Sequence, residues 1–190
     1  FSPGYSLTPG RLDSIRNARL IYFPGGSQAR FMESIRNSPL REAFAEAYRN
    51  GCMLAGTSAG AAIMSRKMIT GDQVKHPEYS GNFPTMESEN IVIAEGLGLI
   101  ETALIDQHFI RRQRLNRLVS AVMENPGETG IGIDESTAIC VQGDSATVCG
   151  LGQVIVLRHR GDTVRVWNGL LGAVNLQMDV LLPGERFSVK

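Results

Sequence analysis

Residues 56–60, Gly-Thr-Ser-Ala-Gly, constrain the fold of this chain more than any other stretch. The apolar run 52–55 before them predicts a short buried strand, and the small residues 61–64 after them favour a helix. A G-x-S-x-G pattern between a strand and a helix is typical of a nucleophile elbow, a turn so tight that the positions flanking the serine must lack bulk. The alternative is a glycine-rich turn with an incidental serine. The elbow interpretation places the Ser58 hydroxyl at a helix N-terminus, where free N–H groups and the helix dipole favour a developing oxyanion.

Strands and helices alternate around this turn. The apolar segment Leu20–Phe23 predicts a strand, and Ser38 followed by Pro39 predicts the start of a helix. Apolar residues at helical spacing continue this helix until Asn50-Gly51 closes it. Such alternation is typical of a parallel sheet covered by helices. We therefore expect an α/β fold with a mostly parallel sheet flanked by helices, in one domain over residues 1–190.

The remaining chain contains two predicted loops and several further elements. Residues 1–10 and 71–89 are rich in glycine, proline and polar side chains and predict loops. Short strands are predicted at residues 104–105, 130–133 and 137–141. A helix between the first two of them has a predicted buried stripe of Leu115, Leu118, Val119 and Val122. Residues 154–157 and 163–167, joined around Gly161-Asp162, predict a C-terminal antiparallel hairpin.

Composition argues against several classes of protein. Lys plus Arg and Asp plus Glu each total 19, and the resulting zero net charge argues against a dedicated nucleic-acid binder. No apolar run approaches the ~20 residues of a membrane span. The three cysteines cannot all pair and none belongs to a CxxC motif, so neither a disulfide scaffold nor a structural metal site is expected.

A serine nucleophile requires a histidine base, and the chain offers three candidates. His159 falls in the predicted turn of the late hairpin, where a solvated histidine is the simpler interpretation. His76 lies in the polar loop 71–89, which would orient a base poorly. His108 follows a buried strand, as Ser58 does, and both would emerge at the carboxyl edge of a parallel sheet, where such folds place their sites. The sequence therefore favours His108.

The acid that would orient this base is less clearly indicated. Glu135 lies just past the predicted strand 130–133, again at a carboxyl end. Asp72, in the loop after Ser58, is the rival, and Asp134 is a weaker candidate. A carboxylate at a strand end is often only a cap for the next element, so the choice between Glu135 and Asp72 stays open at this point.

Four arginines crowd into positions 111–117, just after the proposed base. A solvated helix face is one interpretation, in particular for Arg111 and Arg117. Arg112 and Arg114 lie within two turns of His108, however, and an arginine fork suits a bidentate pair with a substrate carboxylate. A substrate-binding role is therefore predicted for these two.

A second glycine-rich turn, Gly-Gly-Ser-Gln at residues 25–28, ends the first predicted strand. Its backbone N–H groups would complete an oxyanion hole beside the elbow. Gln28 would then point toward the substrate.

Taken in order, residues 25–28, residues 56–61 and Asp106-Gln107-His108-Phe109 with the arginines after it resemble a serine-peptidase family. That family contains cyanophycinase and peptidase E, and the resemblance is to its cyanophycinase members above all, from about Leu20 to the C-terminus. It implies a flavodoxin-like α/β sandwich related to class I glutamine amidotransferases.

The resemblance also implies roles for particular residues. Ser58 is implied as the nucleophile, His108 as the base and Glu135 as the acid that orients it. Backbone N–H groups at Ala59 and near Gly26 are expected to hold the oxyanion. The substrate cleft is implied to be lined by Gln28, Asp106, Gln107, Arg112, Arg114 and Arg117.

The implied activity is exopeptidase cleavage of a polymer with an aspartate backbone and an arginine on each β-carboxyl, releasing β-aspartyl-arginine dipeptides. No metal or organic cofactor is implied, and a homodimer is expected. An α-aspartyl dipeptidase of the peptidase E type is the nearest alternative, although Ala62 and the dense arginines favour cyanophycinase slightly. A non-catalytic binding relative is the alternative from another class.

Two departures from the family pattern add expectations. Ser27 occupies a position where the family usually has an acidic residue. Family members also carry one or more strands ahead of the region matching Leu20, so we expect N-terminal strands to be missing and a companion segment or chain to cover the exposed edge. A cytoplasmic location is expected, with secretion left open.

Overall fold

The computed structural model describes residues 7–79 and 81–190 of the chain. Within these residues there are five α-helices and one short 3₁₀ helix, Pro77–Tyr79. The α-helices are α1 (Pro9–Arg16), α2 (Gln28–Ile35), α3 (Leu40–Arg49), α4 (Ala59–Ala62) and α5 (Leu115–Glu124). The strands are β1 (Leu20–Phe23), β2 (Met53–Gly56), β3 (Lys67–Gln73), β4 (Ile91–Glu95), β5 (Ala103–Gln107), β6 (Thr129–Ile133), β7 (Thr137–Gln142), β8 (Ser145–Gly150), β9 (Val154–His159), β10 (Val164–Trp167), β11 (Leu170–Ala173), β12 (Leu176–Leu181) and β13 (Arg186–Ser188).

A mixed α/β fold with a central sheet flanked by helices is confirmed. Strand β1 pairs with β2 in parallel, and β5 pairs with β6 in parallel. The prediction of a mostly parallel sheet is wrong, because only two of the eight strand pairs in the described residues are parallel. Strand β9 returns antiparallel to β6 and extends the sheet in the order β12-β9-β6-β5. The two parallel pairs are the ones that carry the elbow and the histidine.

Helices α2 and α3 cover one face of the β1–β2 pair. The ring of Phe23 makes edge-to-face contacts with Phe31 and Phe44, with centroids 5.6 and 5.2 Å apart, which favours their burial. On the opposite face of the same strands the apolar side chains of Leu20, Tyr22 and Met53 are exposed.

Helix α5 packs against β6 through its buried apolar stripe. A Cβ atom at Gly130 would lie 2.6 Å from Val122, so the absence of a side chain at this position permits close packing of helix on strand. Leu118, Val119 and Val122 are buried as predicted, whereas Leu115 is exposed at the first turn.

The N-terminal half departs from the sequence prediction in three places. Helix α1 begins at Pro9, within the predicted loop 1–10, and residues 1–6 of that loop lie outside the described residues. Helix α2 was missed because its eight residues follow a glycine turn directly and contain only a short apolar stripe. Strand β3 continues to Gln73, so the predicted loop 71–89 begins later and includes the 3₁₀ turn.

The predicted C-terminal hairpin is also wrong in its partners. Strand β9 pairs with β6 and β12, while β10 forms its hairpin with β11. The turn of the β10–β11 hairpin is Asn168-Gly169, and both residues have positive φ, as a two-residue hairpin turn requires. The apolar run 154–157 is buried on both faces, which is typical of a central strand.

Within residues 7–79 and 81–190, no helix is long and apolar enough to cross a membrane. In the same part of the chain, no group of three or more His, Cys, Asp or Glu side chains is placed to hold a metal ion.

Candidate active site

Ser58 lies in a strained turn between β2 and α4. Its backbone has φ 52° and ψ −117°, a conformation that few non-glycine residues adopt. A Cβ atom at Gly56 would lie 2.1 Å from the carbonyl oxygen of Gly60, and one at Gly60 would lie 2.0 Å from that of Phe23. Both flanking positions must therefore be glycine, as the elbow interpretation requires. The helix after the turn, α4, begins at Ala59 and has a single turn that ends at Ala62, so it includes only the first half of the predicted segment 61–64.

The strands β5 and β6 bring a histidine and a carboxylate to this turn. Since β5 and β6 are parallel, with Gln107 opposite Ile133, the residues that follow them emerge at the same edge. Nε2 of His108 lies 2.8 Å from Oγ of Ser58, and Nδ1 of His108 lies 2.6 Å from Oε1 of Glu135. A carboxylate oxygen accepts, so Nδ1 carries the ring proton and donates a hydrogen bond to Glu135, which leaves Nε2 to accept a hydrogen bond from the Ser58 hydroxyl.

The other candidate bases and acids lie elsewhere. His76 contacts Glu87, with Nε2 and Oε2 2.9 Å apart, and this contact lowers the pKa of Glu87 below its usual value. Asp72 is exposed on β3, and its backbone N–H donates to Oγ1 of Thr70. The carboxylate in contact with His108 is therefore Glu135.

His159 is not in a solvated turn as expected. It ends β9 and is half-buried, and its Nε2 is buried without a hydrogen-bond partner in the described part of the chain. A Cβ atom at Gly161 would lie 2.9 Å from this Nε2, so the glycine leaves room for the ring.

The glycine turn after β1 approaches the elbow closely. A Cβ atom at Gly25 would lie 3.4 Å from Cβ of Ser58, and Gly26 borders a cavity that Ser58 also borders. The N–H of Ala59 is the first of α4 and therefore has no acceptor within the helix. Backbone from two separate turns thus lies close to Ser58.

A polar cavity of about 220 Å³ opens on one side of Ser58. Three of its lining residues are arginines, and the only acid that contacts them within residues 7–79 and 81–190 is Asp106, so the positive charges of this group exceed the negative ones by two. Such a cavity favours an anion, and guanidinium groups favour a carboxylate or phosphate. Its lining consists of Gly26, Gln28, Ser58, Thr70, Gly71, Gly81, Gln107, Arg112, Arg114 and Arg117.

Asp106 lies behind the wall of this cavity. Its carboxylate is fully buried, and it accepts from Nε of Arg117 at 2.8 Å, from Nη2 of the same side chain, and from Nη1 of Arg114 at 3.3 Å. Asp106 was predicted to line the substrate cleft. In the structure it does not border the cavity but binds two of the arginines that do, Arg114 and Arg117.

Two polar side chains of the cavity, Gln28 and Arg114, have orientations fixed by hydrogen bonds. Nε2 of Gln28 donates to the carbonyls of Ile69 and Thr70 at 3.0 and 2.8 Å, and its amide oxygen accepts from no donor in the described part of the chain, so this oxygen is available to a ligand. Arg114 donates from Nη1 to the carbonyl of Gln107 at 2.6 Å, and its Nε is buried without a partner in the described residues. Burial and the charge of Arg117 lower the pKa of the Arg114 guanidinium, which means that a nearby anion would stabilise it.

A second, larger cavity of about 440 Å³ lies on the other side of Ser58. Strand β2 forms one of its walls and the segment 134–141 forms another. Asp134 and Glu135 are the acids on its border, and most of its lining is apolar: Met53, Leu54, Ala55, Ala61, Met64, Leu99, Ile100, Ile105, Ile133, Ala138, Ile139 and Val141. We call it the apolar groove.

Sequence reasoning missed this groove and the carbonyls that hold Gln28. No local pattern indicates which apolar side chains will line an open groove, because that depends on pairing between distant strands.

The four arginines at positions 111–117 differ in burial. Arg111 and Arg112 are exposed in the turn before α5, while Arg114 and Arg117 are buried.

Comparison with known proteins places this geometry in a family. The model of peptidase family S51 matches residues 6–149. A cyanophycinase from Trichormus variabilis is 36% identical over 174 residues, which cover 88% of this chain and 56% of that protein. A cyanophycinase from Geminocystis herdmanii is 34% identical over 185 residues, covering 93% of this chain and 64% of that protein. The chain thus spans little more than half the length of these curated relatives.

Solved structures agree with the sequence comparisons. A peptidase from an acI-B1 actinobacterium superimposes with a TM-score of 0.65 at 26% identity, over 95% of this chain and 63% of that one. A candidate peptidase E from Listeria monocytogenes shares the fold, with a TM-score of 0.55 at 17% identity over 77% of this chain and 67% of that one. Because the family model covers most of its length, the chain belongs to peptidase family S51.

Proposed function

We propose that this chain carries the catalytic site of a serine peptidase that cleaves aspartyl peptide bonds, with a cyanophycin-like polymer as its substrate. The observation that carries the proposal is the continuous set of contacts from Ser58 through His108 to Glu135, 2.8 and 2.6 Å long. The same constellation of hydroxyl, imidazole and carboxylate supports acyl transfer on several unrelated folds. The cyanophycinase relatives support the choice of substrate.

In the proposed mechanism Oγ of Ser58 attacks the scissile carbonyl while Nε2 of His108 takes its proton. Glu135 holds the Nδ1–H of the ring and stabilises the imidazolium that forms. The imidazolium then gives its proton to the leaving amine, and an acyl-enzyme remains on Ser58. A water molecule, deprotonated by the same Nε2, hydrolyses this ester and restores the serine.

The oxyanion of each tetrahedral intermediate is proposed to accept from backbone N–H groups at Ala59 and near Gly26. The α4 helix has one turn only, so its local N–H groups, rather than a long helix dipole, would supply this stabilisation. Loss of one such donor typically costs about 10²- to 10³-fold in rate.

The polar cavity supports recognition of an aspartyl residue next to the cleaved bond. Arg112 and Arg114 would bind the free carboxylate, and Asp106 would keep Arg114 and Arg117 in place from behind. The amide oxygen of Gln28 would accept from a substrate N–H or ammonium group. In the polymer every aspartate β-carboxyl is bonded to arginine, so the backbone carboxylate that these arginines could bind is the one at the chain end, which is consistent with cleavage from an end.

Two further assignments belong to this proposal. The parallel pairs β1–β2 and β5–β6, with helices beside them, support a flavodoxin-like core of the kind found in class I glutamine amidotransferases. We also propose that the chain acts as a homodimer, as the family resemblance implies.

The proposal is tested by assaying release of β-aspartyl-arginine from the polymer by the wild-type protein, Ser58→Ala and Ser14→Ala. Ser14 is a matched control, because it lies on the exposed face of α1, away from the site. We expect Ser58→Ala to fold normally and to lose on the order of 10⁴ or more in rate, while Ser14→Ala retains the wild-type rate. Full hydrolysis by folded Ser58→Ala would refute the serine mechanism.

An α-aspartyl dipeptidase is a second candidate, and one observation favours it. None of the residues lining the polar cavity is an acid, so nothing among these described side chains would pair with the arginine branch of the polymer. Measuring kcat/KM for aspartyl dipeptides and for the polymer on the same preparation decides between the two. If neither is cleaved and both bind, the chain is a non-catalytic binding relative.

A further inference from the structure

Two cysteines lie side by side on the hairpin that follows the catalytic acid. Cys140 on β7 and Cys149 on β8 have their Sγ atoms 3.5 Å apart. They are diagonal neighbours on one face of the antiparallel pair, because Cys140 is opposite Thr147 and Cys149 is opposite Ala138. Cys140 is exposed and Cys149 is partly exposed, whereas the third cysteine, Cys52, is buried.

We propose that Cys140 and Cys149 are an oxidisable thiol pair that closes to a disulfide across the β7–β8 hairpin when a small-molecule disulfide such as oxidised glutathione is present. A disulfide needs the sulfurs about 2.05 Å apart, so each has to approach by less than about 1 Å. Both side chains project from the same face. Diagonal neighbours of a β-ladder have Cα atoms about 7–8 Å apart, slightly more than a disulfide usually spans, so closure requires side-chain rotation together with a small shift of the two strands. The proposal does not depend on the proposed function.

The exchange is balanced as follows. The thiolate of Cys140 attacks one sulfur of oxidised glutathione, whose S–S bond breaks and releases one glutathione thiolate. The thiolate of Cys149 then attacks the Cys140 sulfur in this mixed disulfide and expels the second glutathione. The protons lost by the two protein thiols end on the two glutathione thiolates, and the protein pair is oxidised by two electrons while glutathione is reduced by two.

The surroundings decide the order and the pH dependence of these steps. Cys140 is the exposed member, so it meets the oxidant first. Its hydrogen bond to Cys149, together with partial burial and the nearby sulfur charge, raises the pKa of the Cys140 thiol above its usual value. Because the thiolate is the attacking species, closure should become faster as the pH rises through the alkaline range.

The pair also borders the candidate active site. Cys140 is part of the apolar groove wall that Ser58 and Glu135 share. Strand β7 begins at Thr137, whose hydroxyl donates to the carbonyl of Glu135 at 2.9 Å. Oxidation would therefore change the groove wall and restrict the motion of the β7–β8 hairpin that follows Glu135, while leaving the contacts of His108 in place.

The test is a count of free thiols in the folded protein after incubation with oxidised glutathione, followed by acid quenching and denaturation. We expect the count to fall from three to one, with the remaining thiol on Cys52 and no glutathione bound. Peptide mapping without reductant should find Cys140 joined to Cys149. Cys52→Ser should fall from two thiols to none, which shows that Cys52 takes no part.

Two single variants distinguish closure from separate oxidation. Cys149→Ser should retain one stable glutathione on Cys140, and Cys140→Ser should react more slowly at Cys149, since neither can close. A wild-type protein that keeps three thiols, carries glutathione on both cysteines, or forms dimers through Cys140 would overturn the proposal. Protein unfolded before oxidation is the control and should lose this selectivity.

Discussion

The two cavities on either side of Ser58 differ in almost every physical respect. The polar cavity has a volume of about 220 Å³ and is lined by three arginines. One described acid, Asp106, contacts two of them, so the positive charges of this group exceed the negative ones by two. The apolar groove holds about 440 Å³ and is lined mainly by aliphatic side chains, with Asp134 and Glu135 at its border. Among the residues that the structure describes, only Ser58 and Gln107 line both cavities.

This difference indicates that the two cavities would select a bound molecule by different physical properties. A cationic cavity discriminates by charge, because the free-energy cost of removing a carboxylate from water is offset only by a charge-assisted hydrogen bond to a positive side chain. An apolar groove discriminates by size and shape, and the penalty for a wrong group there is modest. The substrate side that fills the polar cavity should therefore decide specificity, and the side that faces the groove should vary more freely.

The largest effect is expected from the carboxylate that orients His108, the base in contact with Ser58. Glu135→Gln keeps the shape of the side chain but removes the charge that holds Nδ1–H of His108. We expect kcat to fall by about 10⁴-fold with little change in KM, since the wrong tautomer of the ring becomes favoured. Steady-state kinetics on an aspartyl substrate would show it.

Asp72→Asn is the control for this prediction, because Asp72 was the rival acid and is exposed on β3. It should stay within about twofold of the wild-type rate, as surface substitutions usually do. A larger loss in Asp72→Asn than in Glu135→Gln would reverse the assignment of the acid.

The next effect concerns the turn that separates the cavities. In Gly60→Ala the new methyl group would lie 2.0 Å from the carbonyl oxygen of Phe23, which belongs to a packed strand and cannot move aside easily. We expect a loss of about 4 kcal/mol in the free energy of unfolding, equivalent to roughly 10³ in the folding equilibrium. Chemical denaturation followed by circular dichroism measures it.

Gly10→Ala is the matched control, since a Cβ atom there meets nothing within 4 Å and Gly10 lies in α1. It should be neutral or slightly stabilising, because alanine favours a helix more than glycine does. Equal stability of the two variants would show that the elbow is less tightly packed than described.

A moderate effect should follow from weakening the polar cavity alone. Arg112 is exposed and lines the cavity, while the adjacent Arg111 is exposed and does not. Arg112→Gln should lower kcat/KM for aspartyl substrates by about 10- to 100-fold, because a charge-assisted hydrogen bond to the carboxylate is lost. Arg111→Gln should change it by less than about twofold. Similar losses in both would mean that only the general positive field matters.

The smallest effect is expected from charging the groove. Val141→Lys places an ammonium group on the exposed part of the groove wall, and Val166→Lys places one on an exposed strand away from it. For a short aspartyl substrate we expect both to stay within about threefold of wild type, since the polar cavity decides specificity. A loss in Val141→Lys as large as that in Arg112→Gln would break the contrast between the cavities.

The parts that sequence predicted well depend on local constraints. The elbow around Ser58 requires glycine at two positions, because a Cβ atom at either would overlap backbone atoms. Both positions fall within five consecutive residues, so the pattern can be recognised locally. His108 was favoured because it follows an apolar strand, whereas the choice between Glu135 and Asp72 stayed open until the family resemblance implied Glu135. The strand Leu20–Phe23 was predicted with the bounds that the structure has.

The parts that failed depend on distant contacts. Whether β9 pairs with β10 or with β12 and β6 is decided by burial of both faces, which the local pattern does not specify. The position of Asp106 behind the cavity follows from Arg117, eleven residues away on α5. The Asn168-Gly169 turn was a local signal that went unused. The single domain, the homodimer and the cytoplasmic location stay predictions.

The central claim is that the Ser58 hydroxyl is activated by His108. Reaction with a fluorophosphonate probe, followed by peptide mapping, tests it without any assumption about the substrate. The account predicts a single adduct on Ser58 that is absent in Ser58→Ala and strongly slowed in His108→Ala, both variants being folded by circular dichroism. An unlabelled wild-type protein, or equally fast labelling of His108→Ala, would contradict it.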